Sequence, residues 1–440
     1  MSQIPPGALD AREFIEIEPA PVDFDEKKVE SGAKAALTKV TSRITKVITT
    51  SSAKEIAPPP DGGVVAWTQT AMTTLIIFNT WGYINSFGVF QTYYVNELGY
   101  PPSNVSWVGA TDAGYLRIVL IVGSVLQVIG IFMTSISTKY WHLLLAQGLC
   151  TGLGDGLVFC PSLALLSTYF STKRSLALGI TSAGSGIGGL VFPAIVQQLL
   201  PKIGFAWTVR VLGFVVLGTS ALTIALTKTR LPPRKTGKLI EWGVFCEPPF
   251  AIFTAGMFLC FWGLYFAFYY IGSYGREIIG VDQSDSISLL LIMNGISIVG
   301  RLVPNVFADR YFGPLNMIIP FCFISSLLIY SWAAIHTKGG LFGWAAVYGL
   351  FVAGVQSLFP AVVSSLTKDL KTAGIRMGMF FTVVSFACLT GPPLGGFLIE
   401  RNGGNYLYAQ VWAASCLFAG GCLHIIARLV GTKGKLIARI

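Results

Sequence analysis

The chain has 440 residues, of which 53% are hydrophobic and 12% are charged. Soluble domains carry about 25% charged residues, so this composition excludes a soluble protein and indicates a chain that lies in a lipid bilayer. The net charge of +10 does not indicate a nucleic-acid-binding protein. Lys and Arg lie in short segments between apolar runs, which is the membrane pattern.

Residues 1–57 form a polar segment that precedes the first apolar run. The segment is rich in Pro, Ser, Thr and charged residues, which is typical of a disordered tail. Its second part is basic, and a basic stretch beside a membrane favours a cytosolic tail near anionic lipid. No cleavable signal peptide is expected, because the segment is polar.

Eleven apolar runs follow, most of them close to the roughly 20 residues that a membrane-spanning helix needs. The runs are 64–94, 116–136, 141–170, 175–200, 207–227, 250–273, 287–307, 315–335, 342–366, 377–399 and 406–429. The longest interior polar stretch divides them into two groups. We therefore expect an N-terminal helix bundle over 58–227, a cytosolic central loop over 228–248, a C-terminal bundle over 249–430 and a cytosolic tail over 431–440.

Basic residues orient the runs. One set of loops holds clusters of Lys and Arg and is expected to be cytosolic, whereas the opposite set holds mostly isolated bases. The N-terminal tail and Arg117 are both expected on the cytosolic side, so an even number of helices must separate them, yet only the run 64–94 lies between. The apolar stretch 105–114 gives roughly 15 Å of helix, about half the bilayer core. One helix is therefore missing from the pattern.

Several groups of residues resemble motifs of one transporter family. Asp61-Gly-Gly-Val-Val-Ala-Trp67 resembles the D-G-G-x-x-x-W motif at the start of helix 1 in the monocarboxylate transporter family, which belongs to the major facilitator superfamily. Gly300-Arg-Leu-Val-Pro304 resembles its helix 8, and Asp309 and Arg310 belong to a stretch that looks like the D-R-x-G loop after that helix, a conformational motif. Gly152-Leu-Gly154, together with a later Pro and S-T-Y-F, resembles helix 4 of the fungal-type branch.

The resemblance, which covers 58–430, implies an all-α integral membrane protein with the major facilitator superfamily fold. That fold has twelve helices in two pseudo-symmetric bundles. In this alignment 105–110 matches the start of helix 2 and 112–117 the loop after it, so the body of helix 2 is missing. An exon-skipped isoform or a faulty gene model would account for this; a genuine eleven-helix transporter is the alternative.

The resemblance also implies a function. We expect a plasma-membrane transporter, with both termini cytosolic, that moves a small organic solute by alternating access. The sequence leaves its oligomeric state open, with a monomer as one option. The solute is monocarboxylate-like or a secondary metabolite, and proton coupling is a further hypothesis. The alternative function is a truncated isoform, or a sensor-like relative, without transport activity.

Arg301 lies inside an apolar run, where an Arg is costly unless it faces an aqueous cavity or a partner. In the family resembled, the matching Arg contacts the substrate carboxylate; the alternative is an Arg at the cytosolic helix end, paired with Asp309 or reaching the interface. The Asp that many members have four residues earlier is Ser297 here, and their helix 1 Lys is Asn85. This departure argues against proton-coupled transport of small anions by the family's route.

Asp155 is a carboxylate in a Gly-rich apolar run. Burial of a carboxylate favours its protonated form, so Asp155 is a candidate for proton coupling, with a satisfied packing residue as the alternative. The aromatic run 261–270 predicts a cavity wall that suits a flat, ring-bearing substrate, or else lipid-facing and core rings. Other polar residues in the runs line the substrate pathway or form interhelical hydrogen bonds; the candidates are Tyr83, Asn85, Gln91, Tyr265, Tyr269, Asn294 and Gln356.

Other patterns exclude enzyme classes. The G-x-G-x-x-G sequence of 184–189 lies within an apolar run with no acid about 20 residues on, so close helix packing explains it better than a dinucleotide site. The eight Cys form no CxxC pair and are expected to be core residues. No HExxH, Walker loop or Ser-His-Asp set is found, so neither an enzyme nor a metal or cofactor is expected. Asn104-Val-Ser106 is a glycosylation sequon on the predicted outer side.

Overall fold

The structure is a computed structural model that describes residues 59–85, 116–230, 242–367 and 372–435. Within these ranges the chain is helical and contains no β-strand. The predicted tail 1–57, Gln91 and the sequon at Asn104 lie outside the described residues. Pro59–Ile440 forms one compact unit.

The first helix, α1, comprises Gly63–Ile77, a π-helical turn Phe78–Gly82 and a last α-turn Tyr83–Asn85. The chain then continues with α2 (Leu116–Thr134), α3 (Tyr140–Tyr169), α4 (174–203), α5 (205–226), α6 (Pro248–Ile279), α7 (Gln283–Phe312), α8 (Pro314–Trp332), α9 (Lys338–Ser365), α10 (Ala373–Arg401) and α11 (Leu407–Gly431). Nine of the continuous helices in the described ranges are long and apolar enough to cross a membrane.

One of these nine, Arg174–Leu226, consists of α4 and α5. They meet at Gly204, whose φ of 73° is a backbone conformation that L side chains rarely adopt. With this division, and with α1 counted, the described residues contain eleven helices of spanning length. The all-α membrane architecture predicted from the apolar runs is confirmed.

Helices α1 and α2 run in the same direction. The short turn 135–139 joins α2 to α3 as an antiparallel pair. The backbone N–H of Asp61, just before α1, donates to the carbonyl of Tyr169, at the end of α3, at 3.1 Å. Helix α3 is therefore antiparallel to both α1 and α2, which agrees with the parity that the basic residues predict. The intervening residues 86–115 lie outside the described part of the chain.

The D-G-G motif is a turn with three consecutive positive φ angles: 48° at Asp61, 156° at Gly62 and 83° at Gly63. The turn brings the Asp61 carboxylate to the backbone N–H groups of Ser171 and Thr172, the second at 2.8 Å. Partial burial opposes ionisation of this carboxyl, but the backbone hydrogen bonds outweigh it, so the pKa of Asp61 lies below its usual value. The motif therefore ties the start of α1 to the α3–α4 connection.

The buried core consists of separate clusters, each formed mainly by helices from one half of the sequence. The largest cluster of buried apolar residues comes only from 244–427 and contains the stacked rings of Trp332, Trp344 and Tyr348. Three smaller clusters come mainly from α1 to α5. We call α1–α5 the N-terminal half and α6–α11 the C-terminal half. The predicted boundary at 228–248 falls between them and stays a prediction, since 231–241 are not described.

Glycines let α4 approach helices on two of its sides. A Cβ at Gly184 or Gly188 would meet the backbone of α1, and the site of a Cβ at Gly188 lies 2.6 Å from the Cα of Gly82. A Cβ at Gly186 or Gly189 would instead meet side chains of α7. The prediction that this G-x-G-x-x-G sequence serves close helix packing is confirmed.

Candidate functional site

The two halves enclose a cavity of about 270 Å³ between α1 and α3 on one side and α6 and α10 on the other. The lining from the N-terminal side comes from the last described turns of α1 and from 147–160 of α3. We call the face at which α1 begins the Asp61 face and the opposite one the Tyr140 face. The cavity lies in the part of the molecule nearer the Tyr140 face.

The wall from the N-terminal half contains polar side chains. Gln147 Nε2 lies 3.5 Å from Tyr83 Oη, and both residues line the cavity. Gln127 of α2 donates to Asp155 Oδ1 of α3 at 2.6 Å. Asp155 lines the cavity but is 6% exposed, and no Lys, Arg or His nitrogen among the described residues lies within 4 Å of its carboxylate.

The wall from the C-terminal half is aromatic. Phe261, Tyr265 and Tyr269 are spaced four residues apart on α6, so they lie on one face of that helix and line the cavity. Phe266 and Tyr270, on another face of α6, pack within the core of the C-terminal half. The aromatic run thus supplies both a cavity wall and core residues.

A layer of rings lies between the halves at the inner end of the cavity. Trp81 of α1 stacks on Tyr265 of α6, with ring centroids 6.0 Å apart and an interplanar angle of 15°. Trp81 also contacts the edge of Phe159, which in turn contacts Phe381 of α10 at 4.9 Å. The π-helical turn at the end of α1 places Trp81 in this layer.

A second, smaller pocket of about 30 Å³ lies beyond the rings and shares Trp81 and Tyr265 with the cavity. Arg301 lines it and is 2% exposed. Its guanidinium donates to Ser297 Oγ and, at 2.6 Å, to Gln356 Oε1, while Nε has no hydrogen-bond partner among the described residues.

The charge of Arg301 is not balanced by a carboxylate: none lies within 4 Å of it in the described part of the chain. The alternative pairing with Asp309 is not found. A buried guanidinium without a counter-ion is costly, and an anionic group entering the pocket would offset that cost.

Asp309 instead joins the halves at the Asp61 face. Its carboxylate accepts from the backbone N–H groups of Ser175, at 3.0 Å, and Leu176, at 2.7 Å, at the start of α4. A carboxylate at a helix N-terminus satisfies free N–H groups and interacts favourably with the helix dipole. Arg174 also donates to the carbonyl of Ser364 at 3.4 Å. These contacts hold the two halves together at the Asp61 face.

The remaining predicted residues lie elsewhere. Arg310 lies over the ring of Tyr311, at 5.3 Å from its centroid. Asn294 is fully buried against Gly189 between α7 and α4 and does not line the cavity. Asn85 ends α1.

Sequence reasoning missed several residues of the site, namely Trp81, Gln127, Gln147 and Phe381. The two Gln residues are polar groups in apolar runs, the same signal that marked Gln356, and this signal could have identified them. The two aromatic residues gave no signal, because rings are common in any apolar run.

Comparisons with known proteins identify the superfamily of this chain. The sequence profile described as "Major Facilitator Superfamily" matches residues 70–373. A protein named "MFS-type transporter" from Gibberella zeae is 44% identical over 399 residues, covering 87% of this chain and 90% of that one. From Emericella nidulans, "MFS-type transporter dbaD" is 38% identical over 84% of this chain and 86% of its own. The "Aspyridones efflux protein apdF" of the same organism is 32% identical over 87% of this chain and 82% of its own.

Among solved structures, the transporter FucP in its outward conformation matches with a TM-score of 0.58 and 14% identity. The match covers 81% of this chain and 98% of FucP. At this identity the likeness concerns the fold alone.

Proposed function

We propose, given that this chain belongs to the major facilitator superfamily and is a multi-pass membrane transporter, that it exports a flat, ring-bearing organic solute. The observation on which the proposal depends is the cavity between the halves, with polar groups on one wall and a row of aromatic rings on the other. Alternating access of the two halves moves the solute, and no covalent chemistry occurs.

The size of the cavity favours a ring-bearing solute over a small monocarboxylate. About 270 Å³ is near the lower end of drug-sized ligand sites, which run from roughly 300 to 1,000 Å³. A three-carbon acid would leave most of the aromatic wall uncovered. A planar ring system can stack on Tyr265 and Tyr269, while its oxygen or nitrogen substituents reach Tyr83 and Gln147.

The relatives support the direction of transport. One of them is named as an efflux protein for aspyridones, and others are MFS-type transporters of fungi. We propose export of a secondary metabolite, with the Asp61 face in the cytosol because the basic clusters of the sequence lie on that side. The plasma membrane is the corresponding location, and both termini are then cytosolic.

Asp155 is the group we assign to proton coupling. It is buried, lines the cavity and has the Gln127 amide as its hydrogen-bond partner, without a cation to hold it ionised. It can therefore take a proton from the Tyr140 face while the cavity is open there, and release it after the molecule reopens at the Asp61 face. Proton entry would then drive solute exit.

Arg301 is the group we assign to recognition of an acidic or strongly polarised oxygen. It lies beyond the Trp81–Tyr265 layer, on the side toward the Asp61 face. When the contacts of Asp309 and Arg174 open, a solute entering from the cytosol would meet the guanidinium first. An aromatic acid would pair its carboxylate with this guanidinium and place its ring against the aromatic wall of the cavity.

The alternative, a relative without transport activity, is not favoured, because the similarity to an MFS-type transporter extends over 90% of that protein.

The test uses the full chain in sealed proteoliposomes with an imposed pH gradient. Uptake of a bicyclic aromatic acid is compared with uptake of lactate, with protein-free liposomes as the control. We expect gradient-dependent movement of the aromatic acid in excess of lactate. Movement of lactate alone would contradict the proposed substrate class, and movement of neither, by a chain with native helix content, would contradict transport.

A further inference from the structure

A group of metal-ligating side chains lies away from the cavity, deep in the C-terminal half. It consists of Cys260 on α6, Cys322 on α8 and His424 on α11. All three side chains are fully buried, with 0% exposure. Their ligand atoms lie within 4.8 Å of one another, and no other such group is found in the described ranges.

Two of the distances between these ligand atoms match a small metal site. Cys260 Sγ lies 3.7 Å from Cys322 Sγ and 3.8 Å from His424 Nε2. Tetrahedral zinc, with Zn–S near 2.3 Å and Zn–N near 2.0 Å, requires ligand atoms roughly 3.5–3.8 Å apart. We propose that Cys260, Cys322 and His424 bind one zinc ion.

The surroundings of His424 give an independent reason for a ligand. Its Nδ1 has no hydrogen-bond partner among the described residues, and Nε2 faces the sulfur of Cys260. The ring of Phe253 packs on the imidazole with centroids 4.9 Å apart. A buried imidazole normally forms hydrogen bonds through its nitrogens or binds a metal. Coordination through Nε2 would give the imidazole a metal bond, while Nδ1 keeps no partner among the described residues.

The net charge of the occupied site favours Zn²⁺ over Cu(I). Binding of Zn²⁺ to two thiols and one neutral imidazole releases two protons and leaves two thiolates that balance the ion. The product is neutral, as an apolar helix bundle requires. Cu(I) with the same ligands would leave a buried negative charge. Three protein ligands are the number found in zinc sites that keep one position for a small exogenous ligand.

Two glycines give the ligands their space. A Cβ on Gly256 of α6 would lie 2.6 Å from the imidazole of His424, and one on Gly420 of α11 would meet the sulfur of Cys260. Because neither glycine has a side chain, α6 and α11 approach closely enough for the ligands to face each other. The ion would thus join α6, α8 and α11, so that the C-terminal half moves as one rigid body.

The first test needs no variant. The full chain, purified in detergent, is freed of metal with a chelator and dialysed with ZnCl₂, and bound metal is measured by elemental analysis. We expect about one zinc per chain, with sulfur and nitrogen neighbours in the zinc X-ray absorption spectrum. Oxygen-only neighbours, preferential binding of Cu(I), or a purified chain in which Cys260 and Cys322 form a disulfide would each overturn the proposal.

The second test compares Cys322→Ala with Cys422→Ala, a matched control on α11 outside the group. Zinc should raise the unfolding temperature of the wild type and of the control, while Cys322→Ala should lose zinc and the temperature rise. Equal zinc content in all three would overturn the site. If Cys322→Ala does not fold, the absorption spectrum of the wild type decides.

Discussion

The ring planes of Trp81 and Tyr265 lie 15° apart across the interface of the two halves, and both rings line the cavity as well as the Arg301 pocket. In the proposed alternating-access cycle, this pair separates when the Asp61 face opens. The stacked pair would then belong both to the proposed substrate wall and to the barrier against a continuous pore.

Replacing Trp81 by Ala removes this barrier and one face of the aromatic wall. An aromatic pair contributes about 0.5–1.5 kcal/mol beyond its buried area, so the KM for a ring-bearing solute should rise up to roughly tenfold. Proteoliposome uptake measures this change. Trp141→Ala, at an exposed Trp near the start of α3, is the control and should leave KM unchanged. Equal effects of both substitutions would argue against a substrate contact.

Asp155→Asn keeps the shape of the side chain and an oxygen that accepts from Gln127, but it removes the exchangeable proton. Gradient-driven transport should fall by more than about tenfold, while solute exchange at equal pH continues, because exchange needs no net proton movement. Asp285→Asn, a surface carboxylate near Lys338, is the control. Retention of pH-driven transport by Asp155→Asn would remove this residue from the coupling mechanism.

Arg301→Gln tests recognition of a negative charge. Loss of a charge-assisted contact of about 1.5–3 kcal/mol predicts a rise in KM of roughly 10- to 100-fold for an aromatic acid and a small change for its neutral amide. The ratio of the two KM values is the measurement. Arg210→Gln removes an Arg that lies over Trp207 at 4.9 Å, and it should not alter the ratio. An unchanged ratio in Arg301→Gln would mean that the guanidinium is structural.

Asp309→Ala should favour the state open at the Asp61 face. A helix cap contributes about 1 kcal/mol, so the open population should rise roughly fivefold. A Ser185→Cys reporter in the Arg301 pocket, labelled by an impermeant maleimide from that face, measures the shift. Asp282→Ala removes a cap within the C-terminal half, where Asp282 accepts from the Asp285 N–H at 2.7 Å. The control should leave labelling unchanged; an equal increase would indicate general loosening.

Gly82→Ala should destabilise the N-terminal half, because the new Cβ would lie 2.6 Å from the Cα of Gly188. Overpacking of this kind costs about 1–3 kcal/mol, which a lower unfolding temperature in detergent would report. Gly218→Ala, at a helical position with no atom near its Cβ, should be neutral or stabilising. A drop of the same size at both positions would mean that the close α1–α4 contact is not its cause.

The helices could be predicted from the sequence because lipid demands long apolar runs, and the runs match α1 to α11 closely. The prediction of separate runs 175–200 and 207–227 did not anticipate that they continue into each other at Gly204. Individual polar residues in apolar runs, such as Asp155 and Arg301, were also recognisable from their cost in a membrane.

The partners of those residues could not be predicted. Contact between Asp155 and Gln127 depends on the register of α2 against α3, and contact between Arg301 and Gln356 on the packing of α7 against α9. No local spacing encodes either register. The same limit applies to Cys260, whose neighbours Cys322 and His424 are 62 and 164 residues away.

Helix α4 has Gly184 and Gly188 toward α1 and Gly186 and Gly189 toward α7, so at these positions the neighbouring helix meets α4 backbone rather than an α4 side chain. A helix segment without side chains at its contacts can slide by a fraction of a turn while few rotamers change, which is the shear type of domain motion. The turnover rate should therefore depend on the glycines at the contacts of α4 as well as on the residues that touch the solute. Bulk added to this helix would slow the transporter at any solute concentration.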